Sequence, residues 1–301
     1  MKLIKPSFSI LNDTNYNIES IYKRIELVGR CSHKSEDRIT EDSAKTFVER
    51  MMKMKHLSTC EFGTIYLKVP AGKYRFLDND YFDECDDIKD SFYSNPYTKI
   101  HSQEGYHYIS TNYRVLLENF SKEFISELLQ YLCEPTEFHK KRYTVKFICD
   151  RAILAEFTRH RKFSFMAEST RYNNYSKDKF NNELTFIHPL WMYHQESGDY
   201  GDLGNLKNKN HGNKDGTFFE FIKALQYAEY YYFILLREGW KPEQARNILP
   251  LSLKTELYMC GFVEDWKKFF ELRCATNAHP QARELAIPLK EEFIKKGYLN
   301  T

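Results

Sequence analysis

The spacing of apolar and polar residues has two periods along this chain, and together they predict a protein with both strands and helices. Residues 64–69 and 143–149 alternate in the manner of half-buried strands. Residues 1–15 have the pattern of an edge strand followed by a turn. We expect the strands at 64–69 and 143–149 to be neighbours in one sheet.

Apolar residues recur at the helical period in several longer stretches. The strongest is 218–238, where Phe219, Ile222 and Leu225 share a face and Gly239 follows as a stop signal. Asp150 precedes a shorter stretch, 151–158, as an N-cap. Further helices are predicted at 18–28, ending in a break at 29–33, and at 41–55, 112–133, from Pro242 onward, 264–271 and 280–296. The predicted fold class is α+β, with an antiparallel-rich sheet and a helical subdomain.

Two polar stretches interrupt this pattern. Residues 195–216 are rich in Gly, Asn and Lys and are predicted to be a surface excursion, with its use as a lid over a site left open. Residues 78–90 are rich in acidic side chains, but their spacing matches no calcium loop, so a solvated loop is expected there. We predict no metal site.

Composition narrows the class of protein. The 301 residues carry 44 basic and 42 acidic side chains, a net charge of +2, so the surface as a whole is not predicted to bind nucleic acid or a membrane. The seven cysteines are scattered and form no C-x-x-C pair, which favours a reducing, cytoplasmic location over a disulfide framework or a zinc site. No signal peptide or membrane span is predicted, and no glycine-rich phosphate loop occurs.

The most informative stretch is 159–172. It contains three arginines, a histidine, two serines and a tyrosine, and so has far more hydrogen-bond donors than acceptors. Guanidinium groups suit phosphate and carboxylate oxygens and stay charged. A helix C-terminus also attracts cations and accounts for Arg159 and Arg161, but it does not account for Ser169 and Arg171 at their spacing. The stretch therefore predicts a site for an anionic ligand.

This stretch resembles the signature of the flavin-dependent thymidylate synthases, which is Arg-His-Arg, seven or eight residues, Ser, and an Arg two positions further on. Three outlying blocks follow the order of that family. They are His56, Ser58 and Glu61 in a His-x-Ser/Thr-x-x-Glu segment, Arg246 ahead of Leu249-Pro250, and Leu272-Arg273 followed by His279-x-Gln281. The resemblance covers roughly 17–70 and 143–290. It implies one catalytic domain over 1–301 with an insertion at about 71–142.

The resemblance also implies an activity. Such enzymes convert dUMP to dTMP, with methylenetetrahydrofolate as the carbon donor and with reducing equivalents that pass from NADPH through FAD. They are homotetramers whose active sites are shared between subunits. The partners implied for this chain are therefore small molecules and further copies of itself, with no nucleic acid and no membrane.

Roles for individual residues follow from the resemblance. The dUMP contacts would be Glu156, Arg159, Glu168, Ser169, Arg171, Arg246 and Arg273. The FAD contacts would be Ser58, Glu61, Arg159, His160, Arg161 and His279. The catalytic group would be His56, Ser169, Arg246 and Arg273, of which Arg246 and Arg273 would polarise the uracil ring. None of these is a covalent nucleophile.

Several positions depart from the family pattern. Glu156 stands where the family often has Gln, and a carboxylate beside a phosphate needs a partner or must turn away. Met166 and Ala167 replace a polar pair that many members carry. Two alternatives therefore stay open: a related methyl- or hydroxymethyltransferase that acts on another pyrimidine nucleotide, and a homologue that binds nucleotides or RNA without catalysis.

Overall fold

The structure, a computed structural model, describes residues 1–11, 15–74, 77, 95–192, 197–200 and 216–299. The strands are β1 Lys2–Ile4, β2 Ser7–Leu11, β3 Thr64–Pro70, β4 Lys99–Gln103, β5 Tyr106–Asn112, β6 Arg142–Asp150, β7 Ser164–Ala167, β8 Thr185–Ile187, β9 Gly198–Asp199 and β10 Lys254–Phe262. The helices are α1 Ile18–Cys31, α2 Ser43–Lys53, α3 Tyr113–Asn119, α4 Lys122–Leu128, α5 Arg151–Phe157, α6 Thr217–Arg237, α7 Pro242–Ala245, α8 Val263–Arg273 and α9 Pro280–Lys295. Short 3-10 helices lie at Glu36–Arg38, Leu57–Phe62, Leu129–Tyr131, Asp178–Phe180, Leu190–Met192 and Arg246–Ile248.

The strands form three sheets. The largest has the order β2-β6-β10-β7 and is antiparallel throughout. A second antiparallel sheet has the order β3-β5-β4. The third sheet, β8-β1-β9, contains one parallel pair, β1 with β8. This mixture of helices and mainly antiparallel sheets confirms the predicted α+β class.

The predicted pairing of the strands at 64–69 and 143–149 is wrong. Both strands exist, as β3 and β6, but they lie in different sheets. Both edges of β6 are occupied, by β2 and β10, and β3 pairs with β5 instead. Part of the segment 71–142 therefore completes a sheet begun by β3. At the N-terminus, β2 is the expected edge strand, whereas β1 lies in the middle of its sheet.

Two helix boundaries also differ from the prediction. The segment 112–133 is two helices, α3 and α4, because Phe120 is extended and the Ser121 hydroxyl accepts the Phe124 N–H at 3.2 Å as an N-cap. The break predicted at 29–33 comes later, because α1 continues through Gly29 to Cys31. A Cβ on Gly29 would lie 2.7 Å from Cζ of Phe47 and 3.1 Å from Cγ2 of Thr59. Position 29 is therefore glycine because the surrounding side chains leave no room for a Cβ.

Replacement of Gly29 by Ala tests this account of α1. We expect Gly29→Ala to lower the free energy of unfolding by about 1–3 kcal/mol, because the added methyl group forces the Phe47 ring to move. Gly216→Ala is the matched control, since nothing lies within 4 Å of a Cβ built there. The measurement is urea denaturation of both variants. Equal stability of Gly29→Ala and the wild type would contradict the packing argument.

Other predicted features are confirmed. The Asp150 side chain caps α5 by accepting the Ile153 N–H at 2.7 Å. Gly239 follows α6 with φ +91°, which is the left-handed conformation expected of a helix stop. The acid-rich segment 78–90 lies outside the described residues, and so does most of 195–216.

Two large apolar cores support these elements. One packs α1 and α2 against β3 and β5, and the other packs α8 and α9 against β6 and β10. The second core lies directly beneath the ends of α5 and α8, where the predicted Arg-rich residues are. None of the described helices combines the length and the apolar character that crossing a bilayer requires.

Candidate active site

The C-terminal ends of α5 and α8 meet, and their polar side chains form one connected cluster. Arg273 donates from Nη1 to Oε2 of Glu156 at 2.7 Å and from Nη2 to the Glu156 carbonyl oxygen at 2.6 Å. Its Nε donates to Nε2 of His160 at 3.0 Å. The guanidinium carbon also lies 5.9 Å from the centre of the Phe157 ring. Every nitrogen of Arg273 is therefore engaged, and Glu156 has the partner that a carboxylate needs here.

His160 is fixed in one tautomer by this arrangement. Arginine can only donate, so Nε2 of His160 must accept and the ring proton must lie on Nδ1. Burial and the charge of Arg273 lower the pKa of His160 to about 4. The imidazole is therefore neutral near pH 7 and carries its proton on Nδ1. Arg159 and Arg161 flank it with exposed side chains.

The titration of His160 provides a test. We expect its imidazole NMR signals to keep their neutral positions down to about pH 5.5 and to titrate near pH 4, since burial and Arg273 both disfavour the charged form. In Arg273→Leu the midpoint should rise toward the usual value for histidine. A wild-type midpoint near 6.5 would contradict the proposed contact.

The segment 168–171 starts immediately after β7. The Glu168 N–H donates to the Glu256 carbonyl at 2.9 Å, and the Ser169 N–H donates to the Ser32 carbonyl at 3.1 Å. The Ser169 hydroxyl accepts the Arg171 N–H at 3.2 Å. Arg171 is exposed and its Nε pairs with Glu243 of α7 at 3.0 Å. Arg246, also exposed, follows α7 directly, so Arg171 and Arg246 belong to neighbouring elements.

A buried ionic chain holds this segment against the large sheet. Glu168 is 2% exposed, and its two carboxylate oxygens accept from the Tyr175 hydroxyl and from Nζ of Lys254, both at 2.9 Å. Lys254 also pairs with Glu256 at 3.0 Å. Glu256 in turn pairs with Lys34 at 3.0 Å and with Lys146 at 2.7 Å. The carboxylate of Glu168 is thus used within the protein.

Glu256 lies at the centre of this chain. Burial raises its pKa, but the opposing charges of Lys254, Lys34 and Lys146 outweigh burial and lower the pKa to about 2. The ionised form of Glu256 is therefore strongly favoured in the folded state.

A cleft of about 870 Å³ opens beside Ser32. We call it the basic cleft. It is lined by the ends of α1 and α2, by the segments 32–38 and 56–59, and by Met166, Tyr172, Lys177 and Lys179. His56 and Ser58 both lie in it, with exposed side chains. Ser32, which accepts the Ser169 N–H, lies in its wall, so the basic cleft adjoins the 168–171 segment.

Two predicted residues lie apart from these groups. Glu61 pairs with Arg114 of α3 at 2.6 Å, and its carbonyl accepts from Arg142 at 3.3 Å. His279 is exposed before α9, with its ring 6.4 Å from that of Trp191. The roles of both residues as flavin contacts stay predictions.

Within one chain the predicted residues thus fall into three main groups. The first joins Glu156, Arg159, His160, Arg161 and Arg273, the second joins Glu168, Ser169, Arg171 and Arg246, and the third joins His56 and Ser58. The second and third adjoin through Ser32. No hydrogen bond or ion pair among the described residues links Arg273 to Arg171. The convergence of Arg171, Arg246 and Arg273 on one ligand stays a prediction.

Two sets of residues near the site were not predicted from the sequence. One is the lysine set of the ionic chain, because β10 was not predicted and Lys254 and Glu256 lie on it. The other is the set of cations in the basic cleft, among them Arg30, His33 and Arg38. The signal for the second set was present, since these side chains occur within nine residues of sequence. It was interpreted as a helix break.

The fold and these clusters define an α+β protein that presents arginine and histidine donors for anionic ligands. Comparison with known proteins identifies the family within this class. Residues 94–296, about two thirds of the chain, match the family model described as thymidylate synthase complementing protein. The chain belongs to that family. The match begins at 94, so it includes β4 and β5 from the segment predicted to be an insertion.

Curated relatives agree with this family. The flavin-dependent thymidylate synthase of Synechocystis sp. is 28% identical over 189 residues, which cover 60% of this chain and 81% of the relative. The probable flavin-dependent thymidylate synthase of Paramecium bursaria Chlorella virus 1 is 30% identical over 155 residues, 51% of this chain and 66% of the relative. Among solved structures, the UMP/dUMP methylase PolB from Streptomyces cacaoi, bound with 5-Br dUMP, is 15% identical with a TM-score of 0.41, covering 98% of this chain and 93% of that one.

Proposed function

We propose that the protein is an FAD-dependent thymidylate synthase that converts dUMP to dTMP, with methylenetetrahydrofolate as the carbon donor and NADPH as the reductant. The observation that carries this proposal is the family match over 94–296. The same range contains the Arg-His-Arg and Ser-x-Arg motif, which lies at the end of α5 and after β7. The curated relatives, which are flavin-dependent thymidylate synthases, support the same activity.

The donors at the end of α5 fit the chemistry of FAD. A dinucleotide pyrophosphate is a dianion, and Arg159 and Arg161 present two exposed guanidinium groups beside the Nδ1–H of His160. A neutral histidine donor adds a hydrogen bond without any change of charge near neutral pH. Arg159, His160 and Arg161 would hold the cofactor, with Ser58, Glu61 and His279 as its further contacts. Bound FAD would supply the hydride chemistry of the reaction.

The protein's own side chains would bind and polarise the nucleotide. Arg171 would form a charge-assisted fork with the phosphate, in exchange for its exposed pair with Glu243. Arg246 and Arg273 would stabilise negative charge on the uracil ring as C5 becomes nucleophilic. Glu156 and His160 orient Arg273 for this role through three hydrogen bonds. The backbone around Ser169 is held by Ser32 and Glu256, which would fix the position of the uracil.

We further infer a homotetramer with shared active sites, acting in the cytoplasm as one catalytic unit per chain. Among the described residues Arg273 and Arg171 have no common partner within one chain, and a neighbouring subunit could complete a site around either of them. The free cysteines among the described residues support a reducing compartment. Sedimentation of the purified protein would test the tetramer.

The absorption spectrum of the purified protein tests the function. We expect bound flavin, reduction by NADPH, and reoxidation of the reduced flavin that depends on dUMP and methylenetetrahydrofolate under anaerobic conditions. A protein that binds flavin but shows no dUMP-dependent reoxidation would overturn the proposal.

Met166 supports a second candidate, a transferase that acts on another pyrimidine nucleotide. This side chain, at a position that is polar in many family members, lines the basic cleft, where an apolar thioether offers no strong hydrogen bond. Product masses from dUMP and from dCMP would distinguish the candidates. Reaction with dCMP, or a product heavier by a hydroxymethyl group, would favour the second one.

A further inference from the structure

The basic cleft carries more positive charge than the nucleotide and FAD contacts proposed above require. Its described lining includes five cationic side chains, Arg30, Arg38, Arg50, Lys177 and Lys179, and a single carboxylate, Asp37. An excess of positive charge in a concave site of about 870 Å³ concentrates the electric field there and attracts anions.

Two of these cations are satisfied by the protein itself. Arg30 is buried and pairs with Glu26, with its Nε 2.7 Å from Oε1. Nζ of Lys179 donates to the carbonyls of His33 and Lys34 at 3.0 and 2.8 Å. These contacts hold both side chains in place in the lining of the cleft.

The other three cations are exposed to solvent, and we call this exposed part of the cleft its mouth. Arg38, Arg50 and Lys177 are exposed, and none of them forms an ion pair with another described residue. Arg50 lies over the Phe47 ring at 5.4 Å, which orders its guanidinium group without neutralising it. Burial and then the charges of Lys179 and Arg50 lower the pKa of His33 in the same cleft. The exposed part of the cleft therefore has three cations without an ion-pair partner among the described residues and one exposed carboxylate, Asp37.

Planar rings and apolar side chains lie in the same cleft as these cations. The rings of His33 and Tyr172 stack at 4.5 Å with an angle of 16° between them, and Tyr172 is 53% exposed. Phe47, Met51 and Met54 also line the cleft and add apolar surface to it. A ligand that fits both features has a planar ring at one end and a chain of anionic groups at the other.

We propose that the basic cleft binds the anionic end of a co-substrate with a planar ring, through Arg38, Arg50 and Lys177. Two co-substrates of the proposed function have this chemistry: a reduced folate with several glutamyl carboxylates, and NADPH with its phosphates. The inference thus rests on the proposed function and extends it. Of the predicted FAD contacts, Ser58 lines the cleft, but Arg159 and Arg161, the arginines that would hold the pyrophosphate, do not.

The test compares charge-removal variants of the full-length protein. Arg38→Gln/Lys177→Gln removes two charges at the mouth, and Lys122→Gln/Lys295→Gln removes two exposed charges that do not line the cleft. Calorimetry measures the Kd of each protein for 5-methyltetrahydrofolate as monoglutamate and as pentaglutamate, and for NADPH and NADH. The flavin absorbance of each protein is recorded in parallel.

We expect the wild type and the control to bind the pentaglutamate more tightly than the monoglutamate. The Arg38/Lys177 variant should weaken pentaglutamate binding about five- to tenfold, because each exposed ion pair changes affinity by only a few fold. The difference should shrink as salt is added, since the Debye length falls to about 8 Å at physiological ionic strength. If the binding of NADPH and NADH weakens and folate binding does not, the pyrophosphate is the anionic group instead, and a loss confined to NADPH assigns its 2′-phosphate.

Two results would overturn the inference. One is that the Arg38/Lys177 variant and the control have the same Kd for each of the four ligands. The other is loss of bound flavin from the Arg38/Lys177 variant only, which would assign the cleft to the FAD pyrophosphate. Turnover separates this inference from the proposed function. A wild type that shows charge-dependent binding without dUMP turnover would refute the function and keep the inference, and turnover with charge-independent binding would do the reverse.

Discussion

Replacement of Arg273 by leucine is expected to lower dTMP formation about 100- to 1000-fold, which is the usual effect of removing a preorganised donor from a developing negative charge. Arg273 is the residue through which α5 and α8 are joined, with bonds to Glu156 and His160. Its loss leaves the half-buried Glu156 carboxylate without its partner. We therefore also expect a loss of about 1–3 kcal/mol in the free energy of unfolding.

Two further variants distinguish the effect of the positive charge of Arg273 from the effect of its hydrogen-bonding geometry. Arg273→Lys keeps the charge but cannot form the fork, so its activity should lie between those of the wild type and Arg273→Leu. Arg237→Leu, at the exposed C-terminal end of α6, is the control for loss of an arginine. The measurement is the rate of dTMP formation from dUMP at saturating co-substrates. Activity of Arg273→Leu within threefold of the wild type would refute the role of Arg273.

Replacement of Glu256 by glutamine is expected to be the most destabilising single change to the ionic chain. The difference between the usual pKa of 4.5 and about 2 corresponds to about 3 kcal/mol of stability near neutral pH. Glu256 is buried beside three lysines, which lose a shared counter-charge when the carboxylate becomes an amide. We expect dUMP binding to weaken as well, because the chain ends at Glu168, next to Ser169.

The pH dependence of this effect has a defined sign. The pKa of Glu256 is lowered in the folded state, so its contribution is complete above about pH 4.5 and is lost as the pH falls toward 2. Urea denaturation should therefore show a large difference between Glu256→Gln and the wild type near pH 7 and less than about half of that difference near pH 3. Glu264→Gln is the control, because its 3.4 Å pair with Lys140 is exposed. A difference that is unchanged between the two pH values would contradict the assigned pKa.

Helices were the part of the fold that the sequence predicted best. The helix at 218–238, the N-cap Asp150 and the stop signal Gly239 are local features, and each appears at its predicted place. On the apolar face of that helix, however, Phe218 is buried and the predicted Phe219 is exposed. Strand pairing is set by long-range contacts instead. The alternation at 64–69 indicated a strand but contained no information that β5, rather than β6, would be its partner.

The same distinction applies to the site. The Arg-His-Arg spacing was sufficient to locate the arginines at the end of α5, because a motif of this kind is contiguous. The contact between Arg273 and Glu156 joins residues 117 positions apart, and no periodicity predicts it. Glu168 was predicted to contact dUMP, whereas both of its carboxylate oxygens accept from Tyr175 and Lys254 in the structure. Lys254 lies on β10, a strand that the sequence pattern does not predict.

Every role assigned above depends on one reaction, the flavin-dependent transfer of a one-carbon unit to dUMP by this chain. Mass spectrometry of the nucleotide product tests it most directly, with the purified protein, FAD, NADPH, methylenetetrahydrofolate and dUMP. The account predicts a product heavier than dUMP by one methylene group, formed only when FAD and the folate are both present. Unchanged dUMP after reaction with the flavin-loaded protein would contradict it.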